Sequence, residues 1–226
     1  MRICMTATMT MTMTEALLKL AAWLSPGFPV GAFAYSHGLE QAVAAGEVGD
    51  AAGAQGWISA CVEHGAGRND AILLAAVMRG EDADALDALA RAFASSAERL
   101  RETVAQGTAF AETVAAAWGG GGVAVGEPRA YPVAIGVAAR AHGLPARDTV
   151  ALALSAFAAN LVSAAIRLVP LGQVEGQRIQ AALHPLVARV AAEALETSTD
   201  DLGGCAWGAD IAAMRHETQT VRLFRT

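Results

Sequence analysis

The high alanine content of this chain constrains its fold more than any other feature. Alanine fills roughly a quarter of the 226 residues, whereas Phe, Trp and Tyr together make up only 5%. Alanine has the highest helix propensity and packs poorly in a β-strand. Apolar residues recur at helical spacing along the whole chain, and no segment alternates apolar and polar residues between hairpin turns. The sequence therefore predicts an all-α fold, a single-domain bundle of about ten helices with short loops.

The chain divides into three parts, which we assign to one domain and a leader. Residues 1–14 alternate Met and Thr and lack the continuous apolar stretch of a signal peptide, so we predict a disordered leader or coding sequence upstream of the true start. Residues 15–213 form the predicted all-α domain, because no change in composition marks a boundary within them. Residues 214–226 are predicted to be the end of the last helix and a tail of the same domain.

Local signals predict where individual helices begin and end. Thr14, Asp50 and Ser96 are each placed to cap a helix N-terminus, because their side-chain oxygens can accept a hydrogen bond from a free backbone N–H. Pro185 predicts a break between two helices, since proline cannot donate the intrahelical hydrogen bond. The glycines at 119–122 predict a flexible internal loop.

Charge and motif content exclude several classes of function. The formal net charge is −6 and Lys19 is the only lysine, so the chain lacks the basic patch of proteins that bind nucleic acids or anionic membranes. A phosphate-binding P-loop needs a lysine within a glycine-rich motif, and this chain has no such motif. The nucleophile-elbow and zinc motifs of hydrolases are absent as well. We therefore predict that the protein is not an enzyme and has no catalytic residues.

One apolar stretch and three cysteines bear on the compartment and on metal binding. Residues 150–166 are fewer than the roughly 20 of a membrane span and are interrupted by serine and asparagine, which predicts a buried helix. The cysteines lie far apart, which favours a reducing compartment. Only Cys61 and His64 have the spacing of two metal ligands on one helix, and no third ligand follows them, so we predict neither a metal site nor a cofactor.

Residues 25–40 contain prolines, glycines and several of the few aromatic residues. Aromatic side chains on a rigid loop make good interface anchors, so Tyr35, His37 and Glu40 are candidate partner contacts. A loop that fills the core is the structural alternative. A second alternative is a small-ligand-binding protein or enzyme, in which His37 and Glu40 form an acid/base pair in a pocket with Tyr35.

Two further segments are candidate partner contacts. Gly172 permits close approach of the backbone, and Gln173 and Gln177 present two neutral amides on one helix face. The C-terminal residues interleave apolar and basic side chains, so the tail docks either on its own domain or on a partner. The abundance of Arg and Phe in interface cores favours a partner. The candidate contacts in this segment are Arg215, His216, Glu217, Arg222, Leu223, Phe224 and Arg225.

Four motifs in and between these segments resemble those of the UreF-type urease accessory proteins. They are Ser25-Pro-x-x-Pro-x-Gly-x-Phe-x-Tyr-Ser-x-Gly-Leu-Glu40, Tyr131-Pro-Val-Ala-x-Gly136, Arg167-Leu-x-Pro-Leu-Gly-Gln-x-x-Gly-Gln177 and Met214-Arg-His-Glu-x-Gln-x-x-Arg-Leu-Phe-Arg225. Each motif is unusual by itself, and the four occur in the order found in the family. The resemblance is therefore specific and covers the chain from Ser25 to the C-terminus.

The resemblance implies an all-helical, cytoplasmic and usually dimeric protein with no activity or cofactor of its own. Proteins of this family bridge a D/H-type accessory protein and a G-type nickel-binding GTPase, and the assembly docks on urease apoprotein to insert nickel. By the same resemblance, residues 215–225 would contact the D/H-type partner, whereas the Tyr35 region and residues 172–177 would face the GTPase or a second copy. A nickel-binding role for His37, His216 or the Cys61 and His64 pair is the remaining alternative.

Overall fold

The computed structural model describes residues 11–119 and 127–226, and within these ranges the chain is all-α, as predicted. Ten α-helices and two short 3-10 helices, Ala32–Ala34 and Thr199–Asp201, account for the regular structure there, and no strand occurs in the same ranges. The α-helices are α1 Met13–Trp23, α2 Leu39–Ala44, α3 Ala51–Glu63, α4 Ala66–Arg79, α5 Ala83–Ala92, α6 Ala97–Trp118, α7 Tyr131–Ala141, α8 Ala146–Leu168, α9 Gln173–Glu196 and α10 Trp207–His216.

Two of the three predicted N-caps are confirmed. The side chains of Asp50 and Ser96 accept backbone hydrogen bonds at the starts of α3 and α6. The prediction of Thr14 is wrong, because Thr12 caps α1: its hydroxyl accepts a hydrogen bond from the Glu15 N–H at 3.2 Å. The Glu15 carboxylate in turn accepts one from the Thr12 N–H at 2.7 Å. This reciprocal arrangement satisfies two N–H groups, whereas a cap at Thr14 would satisfy one.

Two predictions fall partly on residues that the structure does not describe. Of the predicted leader, residues 1–10 lie outside the described ranges, whereas residues 13 and 14 belong to α1. Of the predicted glycine loop, residues 120–122 lie outside them, and Gly119 follows the last residue of α6.

The predicted break at Pro185 is wrong, because α9 continues through it to Glu196. The buried side chains Ile179, Leu183 and Val187 keep helical spacing across the proline, each at most 5% exposed. Proline removes one intrahelical hydrogen bond, but the burial of this apolar face on both sides of it favours a continuous helix.

Helix α4 lies at the centre of the bundle. Its residues 71–77 are all buried, and it packs against α3, α5, α7, α8 and α9. A helical segment that is apolar on every side, as these two turns are, belongs in a core. Small residues bring its neighbours close: a Cβ added to Gly136 of α7 would lie 2.7 Å from the Cβ of Val77.

Helix α8 is long and apolar enough to cross a membrane, and it is the one helix of the described ranges that meets both criteria. In this structure it packs against α9, α4 and α3. Leu154, Leu161 and Ala165 on its inner side are at most 3% exposed. This inner side of α8 is part of the core, and 44% of the most apolar window of the helix is buried.

The C-terminal elements pack against the start of the chain. Helix α10 contacts α2, α3 and α6. The approach to α2 depends on Gly38, which has φ +75°, and a Cβ there would lie 2.7 Å from the carbonyl oxygen of Ala209 and from the nitrogen of Ala213. This contact places the chain that follows α10 beside α2 and residues 34–37.

Candidate functional site

Residues 217–226, here called the C-terminal tail, dock on the body of the same chain. The Arg225 N–H donates to the Ala34 carbonyl at 2.7 Å, and the Ser36 N–H donates to the Thr226 carbonyl at 3.1 Å. The Ser36 hydroxyl donates to the same Thr226 oxygen. The end of the chain is therefore held along residues 34–36 by main-chain hydrogen bonds. Of the two alternatives for the tail, docking on its own domain is the arrangement seen in this single chain.

Glu40 binds the backbone of the tail with both carboxylate oxygens. Its Oε1 accepts a hydrogen bond from the Leu223 N–H at 2.6 Å, and its Oε2 accepts one from the Phe224 N–H at 2.8 Å. Glu40 is only 7% exposed, so its carboxylate needs these donors in place of water. Hydrogen bonds to an ionised acceptor are stronger than those between neutral groups. Glu40 is therefore a tail-binding residue.

His216 and Glu98 extend this site on the side of α10 and α6. The His216 ring is fully buried and lies between two carboxylates, with its Nδ1 2.7 Å from Glu98 Oε2 and its Nε2 3.1 Å from Glu40 Oε2. The other oxygen of Glu98 accepts a hydrogen bond from the Arg222 guanidinium at 2.6 Å. Helix α2, helix α6, helix α10 and the tail thus meet in one charge cluster, which we call the tail clamp: the buried Glu40, Glu98 and His216, and Arg222, whose side chain is 39% exposed.

Phe224 anchors the tail in the apolar core. Its side chain is 4% exposed, and the Arg167 guanidinium carbon lies 4.2 Å from the centre of its ring. Arg167 also donates to the Phe33 carbonyl at 2.6 Å, which fixes the guanidinium over the ring. The tail is thus held by apolar burial and a cation–π contact in addition to the clamp.

The remaining predicted contacts of the C-terminal segment lie nearer the surface. Arg215 is exposed and forms a loose ion pair with Glu47, at 3.9 Å. The Glu217 carboxylate accepts a hydrogen bond from the Ala97 N–H at 2.8 Å, at the start of α6. Arg225 is exposed, and only its backbone takes part in docking.

His37 and Glu40 do not pair with each other; each has a different partner. The His37 ring nitrogen Nε2 lies 3.1 Å from Glu102 Oε1, and its backbone N–H donates to the Thr226 hydroxyl at 3.4 Å. His37 is the one described non-glycine residue with a positive φ, +51°. This backbone conformation is uncommon outside glycine, and here it places the ring toward α6 and the N–H toward the tail.

His37 lies beside a group of polar side chains that the sequence did not reveal: the buried Arg99, Glu102 and Gln106 of α6 and the half-buried Asp70 of α4. Burial by itself would raise the pKa of Glu102, but the neighbouring His37 and Arg99 lower it. Burial raises the pKa of the Asp70 carboxyl, against the opposing effect of the Arg99 guanidinium. Gln106 donates a further hydrogen bond to Glu102 at 3.0 Å.

This polar group lines a cavity of about 210 Å³ together with largely apolar side chains. Phe28, Leu74 and Phe157 are among the apolar lining residues. His37 lines the cavity, but Tyr35 and Glu40 do not. The pocket of three residues that the small-ligand alternative predicts is therefore not formed around this cavity.

The predicted contacts near residue 35 and after residue 172 differ in exposure. Tyr35 is buried, at 6%, whereas its neighbour Phe33 is 66% exposed, so a partner at this loop would meet Phe33. Gly172 directly precedes α9, and Gln173 and Gln177 are both exposed on its first turns.

Helix α10 and the tail display an apolar surface that the sequence analysis found only in part. Trp207, Ile211 and Met214 are 74%, 43% and 51% exposed, and their spacing of four and three residues places them on one face of α10. In the tail that follows, Val221 and Leu223 are 83% and 65% exposed. We call these five residues the C-terminal apolar face. Exposed apolar residues gathered in one part of a chain are typical of protein-binding surfaces.

The Cys61 and His64 pair is not arranged as a metal site. Cys61 is buried, whereas the His64 side chain is 64% exposed. No group of three or more His, Cys, Asp or Glu side chains in the described ranges could hold a metal ion. Burial, with a smaller contribution from Asp210, raises the pKa of the Cys61 thiol to about 12.

We expect Cys61 to resist alkylation in the folded protein. At pH 8 its thiol is protonated and inaccessible, and only the thiolate reacts at a useful rate. Mass spectrometry after brief treatment with iodoacetamide should find Cys61 unmodified in the native chain and fully modified in urea. Equal labelling in the two conditions would contradict its burial.

Comparison with known proteins places this arrangement in a family. The family model described as UreF matches residues 48–184. A relative from Cereibacter sphaeroides is 60% identical over 214 residues, which cover 95% of this chain and 100% of the relative. A relative from Roseobacter denitrificans is 54% identical, over 94% of this chain and 95% of the relative. A relative from Rhodopseudomonas palustris is 50% identical, over 93% of this chain and 94% of the relative. All three relatives are named urease accessory protein UreF.

Proposed function

The chain belongs to the UreF family of urease accessory proteins, and we propose that it acts as a scaffold and regulator in the nickel-dependent maturation of urease. In this role it is a cytoplasmic homodimer that bridges a D/H-type accessory protein and a G-type nickel-binding GTPase on urease apoprotein. It binds its partners through its surface and carries out no catalytic step.

The observation that carries this proposal is the C-terminal apolar face. Val221 and Leu223 point away from the body, although Phe224 and Thr226 beside them are buried. The docked tail thus presents a fixed apolar surface next to α10. An ordered surface loses less conformational entropy on binding than a disordered tail would. We propose this face as the contact for the D/H-type partner.

Two other surfaces are candidates for the GTPase or for the second copy of the chain. One is Phe33 in the 3-10 helix before α2, which is exposed beside the buried Tyr35. The other is the start of α9, where Gln173 and Gln177 flank Val174, itself 67% exposed. Both surfaces contain an exposed apolar side chain that a partner could bury.

We expect Leu223→Ser to weaken binding of the D/H-type partner at least about tenfold, because an apolar anchor that a partner buries contributes about 1.5–3 kcal/mol. The side chain is 65% exposed in the free chain, so the melting temperature of the isolated protein should not fall. The measurement is co-expression with the cognate D/H-type protein, followed by size-exclusion chromatography with light scattering.

Leu18→Ser is the matched control, because Leu18 on α1 is 66% exposed and also apolar. Equal partner binding by the two variants would contradict the proposed contact. Point variants are preferable to deletion after Ala213, because that deletion also removes His216 and leaves Glu40 and Glu98 unpaired. The same light-scattering run gives the mass of the isolated chain, and a monomer would contradict the homodimer.

A further inference from the structure

The His216 ring faces a hydrogen-bond acceptor at each of its two nitrogens. Nδ1 lies 2.7 Å from a Glu98 oxygen and Nε2 lies 3.1 Å from a Glu40 oxygen. An ionised carboxylate only accepts hydrogen bonds, and a neutral imidazole has a single N–H to donate. We infer that His216 is an imidazolium ion, and that its charge positions Glu40 and Glu98 to bind the C-terminal tail.

The charges around the ring agree with this assignment. Helix α2 contributes Glu40, helix α6 contributes Glu98, and the tail contributes Arg222, which is ion-paired with Glu98. With a charged His216 the clamp contains two positive and two negative groups. With a neutral ring, the two carboxylates, which are 7% and 6% exposed, would share one guanidinium, and an uncompensated buried charge is costly. The ion pair of Arg215 with Glu47 lies at the surface, at 3.9 Å, and does not replace the missing charge.

The position of the carboxylates decides whether the tail is docked. The Glu40 carboxylate, which is hydrogen-bonded to His216, also accepts hydrogen bonds from the Leu223 and Phe224 N–H groups. The Glu98 carboxylate is likewise hydrogen-bonded to His216, and it accepts a hydrogen bond from Arg222. Without the imidazolium between them, the two carboxylates would repel each other and turn toward water. His216 is therefore a positioning residue: its ring makes no hydrogen bond to the tail and acts on it through Glu40 and Glu98. Its backbone carbonyl accepts a hydrogen bond from the Gln219 N–H at 3.0 Å, a contact that does not depend on the side chain.

The inference concerns the isolated chain, and only its consequence for partner binding depends on the proposed function. Leu223 of the C-terminal apolar face is held by its backbone hydrogen bond to Glu40. Loss of the charge on His216 would therefore disorder part of that face. Both tests below use the full chain without a partner, so their failure is distinguishable from a failure of the proposed function.

The first test measures the protonation of the ring directly. Nitrogen-15 NMR of the full chain at pH 7 should show His216 with a proton on both ring nitrogens. In Glu98→Gln the side-chain amide can donate a hydrogen bond to Nδ1 of His216. A neutral ring then accepts at Nδ1 and donates from Nε2 to Glu40, so we expect His216 to carry a single N–H. If His216 served only in packing, Glu98→Gln would leave the number of protons on its ring unchanged. A single N–H in the unmodified protein would overturn the inference.

The second test measures how firmly the tail is docked. Glutamine carries no charge, so it removes the positive group between the two buried carboxylates, and in His216→Gln we expect the Leu223 and Phe224 amides to exchange at least about 100-fold faster. Arg225→Ala is the control, because that side chain is exposed and only its backbone contacts the body. Unchanged exchange in His216→Gln would overturn the inference. If that variant does not fold, the NMR comparison with Glu98→Gln decides the question.

Discussion

Replacing Arg222 and Phe224 together with alanine should release the C-terminal tail and abolish urease activation in cells that carry the other accessory proteins. Removing a buried phenylalanine side chain costs about 3–5 kcal/mol. The loss of Arg222 leaves one oxygen of the buried Glu98 without its ion-pair partner. Together these losses exceed what the remaining main-chain hydrogen bonds of the tail can supply, since each is worth about 1 kcal/mol.

The body of the protein should remain helical in this double variant. The core helices α3, α4, α7, α8 and α9 pack on one another, and their contacts do not depend on the tail. The measurements are urease activity in cells and circular dichroism of the purified chain, with Arg225→Ala as the control. Normal urease activity in the double variant would show that the tail has no part in the assembly.

The fold could be predicted from the sequence wherever local chemistry decides it. Asp50 and Ser96 cap their helices because the bonding groups lie within three residues of each other. The same approach was wrong at Pro185, where distant apolar contacts outweigh a local preference. It was also wrong at Thr14, because Thr12 forms a reciprocal pair with Glu15.

The site could be predicted as a set of residues but not as a set of contacts. The motifs identified Glu40 and His216, yet 176 residues separate them in the chain, and no local pattern indicates that they meet. Glu98, Glu102 and Gln106 were missed for a different reason. They lie four residues apart on α6, a spacing that indicates a solvent-exposed polar face, whereas all three are buried. Histidines from distant parts of the chain, His216 and His37, each bind one oxygen of these carboxylates, Glu98 Oε2 and Glu102 Oε1.

Gly107→Ala should cause the largest loss of stability among single substitutions of small residues. Gly107 lies in α6, and a Cβ added there would overlap the carbonyl oxygen of Arg129 and lie 2.9 Å from the carbonyl carbon of Ala130. The obstructing atoms are backbone, and they are fixed by neighbouring bonds: the Ala130 N–H donates to Asp87 at 2.6 Å. Overpacking against atoms that cannot yield costs about 3 kcal/mol, which corresponds to a fall of about 6–12 °C in melting temperature.

Gly56→Ala is the control that separates this clash from the general effect of replacing glycine in a helix. Gly56 lies in α3, and a Cβ there would have no neighbour within 4 Å, so alanine should raise stability by about 0.5–1 kcal/mol. The two substitutions add the same methyl group and should change the melting temperature in opposite directions. Because α6 carries Glu98 and Glu102, displacement of this helix should also loosen the tail, and the Leu223 amide should exchange faster in Gly107→Ala. Equal melting temperatures for the two variants would mean that α6 does not approach the segment before α7 this closely.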